Sequence, residues 1–243
     1  MASELQSQAS LTGLIEATLH PKALAGFAAP ARENARPVLL PPQFIDRCRQ
    51  AYLSVSFPPG SSRVLGITSA LHGEGKTTVA LGIATAVAAD TNEPTVLLEC
   101  DLETSSDEFF GLRNGPGLGD WLDGDQNLRI LRIPPLANSY LIPAGGSRQD
   151  AARIFYKLSQ STVIEQLQRD FPNVIVDLPP LVSIAYSSLA AKVTERILLV
   201  ARYGSTPLTA IEKAVFLLGR ERISGIVLNG YASRTPQWLR RLL

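Results

Sequence analysis

The chain has little of what would mark a membrane, secreted or nucleic-acid-binding protein. Two cysteines in 243 residues, Cys48 and Cys100, form no ladder of spacings, which excludes a disulfide or zinc framework and fits a reducing compartment. A formal net charge of +1 gives nucleic acid or an acidic membrane no global attraction. No basic region followed by an apolar core and a small-residue cleavage site opens the chain, so no targeting signal is expected. The longest apolar run falls short of the roughly 18 residues a membrane span needs. Recruitment to a membrane would then need another agent. What remains is ordinary for a globular protein with a sizeable core: 45% hydrophobic and 19% charged residues.

Against that background one stretch stands out, Ala70-Leu71-His72-Gly73-Glu74-Gly75-Lys76-Thr77. It matches the phosphate-binding pattern G-x-x-x-x-G-K-[ST] at every fixed position except the first, where Ala70 replaces glycine. Arg63–Thr68 before it reads as a short buried strand, and Thr78–Ala89 after it as a buried helix. Strand, glycine-rich turn and helix are what phosphate binding requires. The turn's N–H groups point inward, and the helix N-terminus adds partial positive charge. Lys76 then reaches the terminal phosphates and the Thr77 hydroxyl holds Mg²⁺. Gly73 and Gly75 let the backbone approach without a Cβ in the way.

The chain divides into a flexible arm rich in Ala, Ser, Gln and Pro (1–42), a folded domain (43–232) and a tail (233–243). Within the arm, Leu11–Leu19 reads as a short helix stopped by Pro21. Phe44, Ile45, Cys48, Ala51, Tyr52 and Val55 fall on one helical face, and Pro58-Pro59-Gly60 ends it. Strands are expected at Thr95–Glu99, Tyr140–Pro143, Asn173–Asp177, Arg196–Arg202 and Gly225–Leu228. Helices are expected at Gln149–Arg169 and Pro207–Leu218. This alternation predicts an α/β domain with a mostly parallel sheet and helices on both faces, of the P-loop NTPase type.

A phosphate loop needs carboxylates near the metal and the attacking group. Two lie at predicted strand ends, where open α/β sheets place ligands. Asp177 follows the β-branched run Val174-Ile175-Val176 and reads as a metal ligand, direct or through water; the competing role is a turn or helix-cap aspartate. Glu99 and Asp101, two apart on an extended backbone, project to one side. One could ligate Mg²⁺ while the other orients or deprotonates a nucleophile. The competing role there is a solvated acidic loop, since Glu103, Asp107 and Glu108 follow.

With these residues in place the chain resembles the bacterial tyrosine kinase family of capsule and exopolysaccharide synthesis, which sits with septum-site and plasmid-partition ATPases among P-loop proteins. Thr68–Thr77 resembles its Walker A, where alanine at the first loop position is tolerated. Leu97-Leu98-Glu99-Cys100-Asp101-Leu102 resembles its second acidic motif, and Val176-Asp177-Leu178-Pro179-Pro180 its Walker B. Gly225-Ile226-Val227-Leu228-Asn229 is similar to a late strand whose asparagine contacts the adenine base.

The resemblance implies ATP and Mg²⁺ as cofactors. It implies Gly73, Glu74, Gly75, Lys76, Thr77, Thr78 and Asn229 as nucleotide contacts, and Thr77, Asp101 and Asp177 at the metal. Lys76, Asp101 and Glu99 are implied as the catalytic groups. It further implies a cytoplasmic protein brought to the membrane by a polysaccharide co-polymerase, no nucleic-acid partner, and a homo-oligomer. Departures are visible too. His72 replaces a loop proline, Glu99 an aspartate and Glu103 a basic residue. Gln50-Ala51-Tyr52-Leu53 lacks both charges of a ring-assembly motif. The tail carries no tyrosine; Trp238, Leu239, Leu242 and Leu243 alternate there with Arg240 and Arg241 as a short amphipathic segment. A protein-tyrosine kinase, a nucleotide-switched regulator without kinase activity and a partition-type ATPase are the readings this leaves open.

Overall fold

A computed structural model describes residues 39–57, 63–102, 110, 115–124, 128–145 and 151–231. The Leu11–Leu19 segment, Glu103 and the tail from residue 232 lie outside the described residues.

The elements run α1 (Pro42–Leu53), β1 (Arg63–Ser69), α2 (Lys76–Thr91), β2 (Thr95–Glu99), α3 (Leu118–Leu122), β3 (Leu131–Arg132), β4 (Ser139–Ile142), α4 (Ala151–Gln160), α5 (Val163–Asp170), β5 (Asn173–Asp177), α6 (Ser187–Ala191), β6 (Arg196–Arg202), α7 (Leu208–Leu218) and β7 (Ile223–Asn229). Seven strands form one sheet in the order β3-β4-β2-β5-β1-β6-β7. Every pairing is parallel except β3 with β4. The expected fold class is therefore the observed one.

The central strands are buried on both faces, which is why they read as unbroken apolar runs. Side chains alternate across the sheet. Leu65, Ile67, Leu97, Ile175 and Leu198 pack toward α1 and α2. Val64, Val96, Leu98, Val174 and Val176 pack into the opposite layer with α4, α5, α6 and α7. Helix α2 is apolar nearly all round because it is covered on two sides, by the sheet and by α1.

Gly82 allows that contact: a Cβ there would lie 2.5 Å from Cys48 Sγ and 2.8 Å from Phe44 Cε1. Gly82→Val is expected to cost about 2–3 kcal/mol by overpacking. Thermal denaturation should show this as a fall of roughly 5–10 °C in Tm; an unchanged Tm would mean that α1 is not tightly seated.

Burial pushes the Cys48 thiol up to about 12 and also raises Cys100, with neighbouring carboxylates adding to the effect on Cys100. A thiol whose folded pKa is raised stabilises the fold below its unfolded pKa of 9.0, and that contribution is lost as pH climbs toward 12. Neither native thiol should react with an aromatic disulfide reagent at pH 8, and both should react once the protein is unfolded. Reaction of either thiol in the native protein would contradict the buried placement.

The structure corrects several expectations. Gln149–Arg169 is not one helix but α4 and α5, broken at Ser161 and Thr162. There the Ser161 hydroxyl donates to Leu158 C=O at 2.8 Å, and Thr162 Oγ1 accepts from Gln166 Nε2 at 3.0 Å. Such local side-chain bonds compete with helix continuation. The strand expected at Tyr140–Pro143 runs Ser139–Ile142, and the last strand is longer than expected at both ends. The short elements β3, α3 and α6 carry too few residues for a periodic signal.

Candidate nucleotide site

The switch point of the sheet is β1, between β5 and β6, and the Ala70–Thr77 loop leaves its C-terminal end. Open α/β sheets bind ligands at that place. Gly73 and Gly75 take φ of +76° and +89°, the left-handed region that favours glycine. At Gly75 a Cβ would also lie 2.1 Å from Asn229 Nδ2. Lys76, Thr77 and Thr78 form the first turn of α2, whose leading N–H groups have no partner within the helix. Backbone bonds tie the loop to the strand beside it. Leu178 N–H donates to Ile67 C=O at 2.9 Å, Leu181 N–H to Ser69 C=O at 2.9 Å, and Val182 N–H to Ala70 C=O at 3.0 Å. The Thr68 hydroxyl donates to Pro179 C=O at 2.8 Å. The Pro179-Pro180 exit from β5 thus runs along the phosphate loop.

Four predicted residues converge below the loop. Lys76 Nζ lies 2.9 Å from Asp101 Oδ2 and 3.4 Å from Asp177 Oδ1. Asp177 Oδ2 accepts the Thr77 hydroxyl at 2.6 Å. All three charged groups are buried: Lys76 is 8% exposed, Asp101 4% and Asp177 1%. Burial alone would lower the Lys76 pKa, but Asp177 and Asp101 outweigh it and hold it above its ordinary value. Asp177 sits above the usual carboxylate range, because burial outweighs the pull of Lys76 and Thr77. Lys76 is thus shared by two buried carboxylates.

Glu99, Glu74 and Asn229, also predicted at the site, make contacts within the protein. Glu99 Oε2 accepts the Ala144 N–H at 3.2 Å, so the carboxylate holds the loop after β4, while Asp101 and Asp177 pair with Lys76. Parity along the strand could not show this, because the partner arrives from another strand. Glu74 is turned inward, 4% exposed, and accepts the Leu71 N–H at 2.9 Å. Asn229 donates its amide to Glu74 C=O at 2.9 Å, and its own Oδ1 accepts Gly230 N–H at 2.9 Å. Sequence reasoning missed Thr68, Arg202 and Thr206. The available signal was Glu74 itself: an acid within a phosphate loop must be held away from phosphate.

The residues present fit a nucleotide with a divalent cation. Burial disfavours the charged form of Asp177, which a cation would offset, and Thr77 and Asp177 supply two oxygen donors side by side. Among the described residues no group of three or more His, Cys, Asp or Glu side chains could hold a metal. Mg²⁺ commonly takes one or two protein ligands and completes its shell with phosphates and water. No helix among the described residues is long and apolar enough to cross a membrane.

No protein-family model matches the chain. Among curated proteins it is similar to the tyrosine-protein kinase ptk of Acinetobacter johnsonii, 24% identical over 191 residues. The match covers 77% of this chain and 26% of that protein. It is also similar to the succinoglycan biosynthesis transport protein ExoP of Rhizobium meliloti, 26% identical over 175 residues, covering 69% of this chain and 22% of that protein. The chain thus spans about a quarter of the length of these relatives. Among solved structures, the kinase domain of the Escherichia coli tyrosine kinase Etk superposes with a TM-score of 0.71 at 22% identity, over 79% of this chain and 78% of that one. The septum-site protein MinD of Pyrococcus horikoshii, complexed with Mg-ADP, superposes with a TM-score of 0.57 at 22% identity, over 74% of this chain and 76% of that one. In sequence the chain is similar to bacterial tyrosine-protein kinases, and in fold to a kinase domain of that kind and to MinD.

Proposed function

We propose that the chain binds ATP with Mg²⁺ and transfers the γ-phosphoryl group to a protein tyrosine, in the service of exopolysaccharide or capsule synthesis. The observation that carries this reading is the buried cluster of Lys76, Asp101, Asp177 and Thr77 under a glycine loop at the switch point of the sheet. Thr77 and Asp177 would hold Mg²⁺, which when bound would neutralise charge on the phosphates. Lys76 leaves its carboxylates for the terminal phosphates. Asp101, so released, accepts the proton of an attacking hydroxyl at Oδ2. The first-turn amides of α2 and the loop position the phosphate chain.

The names of the relatives support a place in polysaccharide export, with the cytoplasmic part of a membrane co-polymerase as partner and recruiter. One observation favours a second reading, a nucleotide-switched regulator of the same machinery: Glu99, implied as a catalytic group, has its carboxylate on the Ala144 N–H. Incubation with Mg²⁺ and γ-labelled ATP, beside Asp177→Asn, decides between them. Phosphotyrosine that disappears in the variant supports the kinase. Free phosphate without protein label leaves an ATPase. Binding with neither product leaves the switch.

A further inference from the structure

The loop after β6 plays no part in the chemistry above, yet it grips the phosphate loop at two points. We propose that Thr206, acting through Glu74, is a positioning residue for the nucleotide, with Arg202 as a second clamp; this deepens the ATP-binding reading and rests on it. Glu74 Oε2 takes the Leu71 N–H, and Oε1 takes the Thr206 hydroxyl. Thr206 Oγ1 in turn accepts the Arg202 N–H at 2.7 Å. A hydroxyl has one proton to donate, so the amide bond it accepts leaves that proton for Glu74. The Arg202 guanidinium donates to Gly73 C=O at 3.1 Å, and Asn229 holds Glu74 C=O. Gly73 and Glu74 are thereby tied to the ends of β6 and β7, on the far side of the loop from Asp177.

Two consequences follow for phosphate binding. An outward-facing Glu74 would repel phosphate; Thr206 and the Leu71 N–H keep it turned in. The loop also contains two glycines at positive φ, which order poorly unless held, and a cradle ordered in advance binds without that entropy cost. Both effects act on affinity before any chemical step.

The test compares wild type, Thr206→Val, Thr206→Ser and Arg202→Ala. MgATP binding is measured by calorimetry, and exchange of the Leu71 amide by hydrogen–deuterium exchange without nucleotide. Thr206→Val strands a buried carboxylate oxygen and should weaken MgATP binding about 10-fold while speeding Leu71 exchange. Thr206→Ser keeps the hydroxyl and should stay within about twofold of wild type. Arg202→Ala, which removes an exposed donor to one carbonyl, should lose roughly threefold. In an active protein the loss in Thr206→Val falls on KM rather than kcat. Wild-type affinity in Thr206→Val, or equal loss in Thr206→Ser, overturns the proposal. Should wild type itself bind no MgATP, the nucleotide reading fails and the Leu71 amide decides alone: faster exchange in Thr206→Val supports the strap, and unchanged exchange removes it.

Discussion

Replacing Lys76 with methionine should destabilise the nucleotide-free protein by about 3–5 kcal/mol, besides abolishing phosphate binding. The cause is the cluster's charge balance. Lys76 pairs with both Asp101 and Asp177, and both carboxylates are buried. Without it, two buried like charges face each other, and one must take up a proton. The effect therefore has a pH signature. In the variant Asp177, already raised by burial, loses the pull of Lys76 and titrates further above its unfolded range. A raised folded pKa means stability that is complete below the unfolded value and lost as pH rises through the folded one. The gap between wild type and variant should be small near pH 4 and grow toward pH 8. Lys76 itself titrates above this window in the wild type, because its pKa is raised, so it contributes a constant there. Urea denaturation at several pH values measures the gap. Adding Asp101→Asn to Lys76→Met should restore most of the loss. A pH-independent gap under about 1 kcal/mol would show that the cluster is not desolvated.

The mirror-image prediction concerns Asp177. Asp177→Asn removes a desolvated carboxylate and leaves the pair of Lys76 with Asp101 intact, so the nucleotide-free fold should be as stable as wild type or slightly more so. Nucleotide binding should move the other way. Loss of a buried charged partner costs about 2–5 kcal/mol, or at least roughly 30-fold in affinity, and the loss should be confined to the Mg²⁺-dependent part. Calorimetry with ATP in Mg²⁺ and in EDTA separates the two. A variant that keeps its full Mg²⁺ response removes Asp177 from the metal site. Asp101→Asn is the control. It loosens the hold on Lys76 without touching Thr77 or Asp177, so MgATP binding should persist while proton acceptance at Oδ2 is lost. The two aspartates thus separate binding from transfer, although both pair with the same lysine.

These opposite signs express a conflict between stability and function. Asp177 costs the nucleotide-free fold something, because a desolvated carboxylate is unfavourable even beside Lys76. Its reward comes only when a cation arrives.

The sequence by itself determined the nucleotide site's core and the layout around it. Glycine at positive φ, lysine at a helix start and aspartate ending a β-branched run are local requirements, and local residues can reveal them. The strands Asn173–Asp177 and Arg196–Arg202 were legible for the same reason: burial on both faces demands unbroken apolar runs. Where hydroxyl side chains offered a competing local bond, as at Ser161 and Thr162, the apolar period continued but the helix did not. Only the tertiary structure decided which carboxylate does what. Glu99 ends β2 and Asp101 lies two residues on, but one meets an amide from the loop after β4 and the other a lysine from α2. Only the tertiary structure, likewise, brought Thr206 to Glu74, 132 positions earlier in the chain. Contacts between distant elements depend on strand order and on the approach of loops, and no spacing along the chain records them.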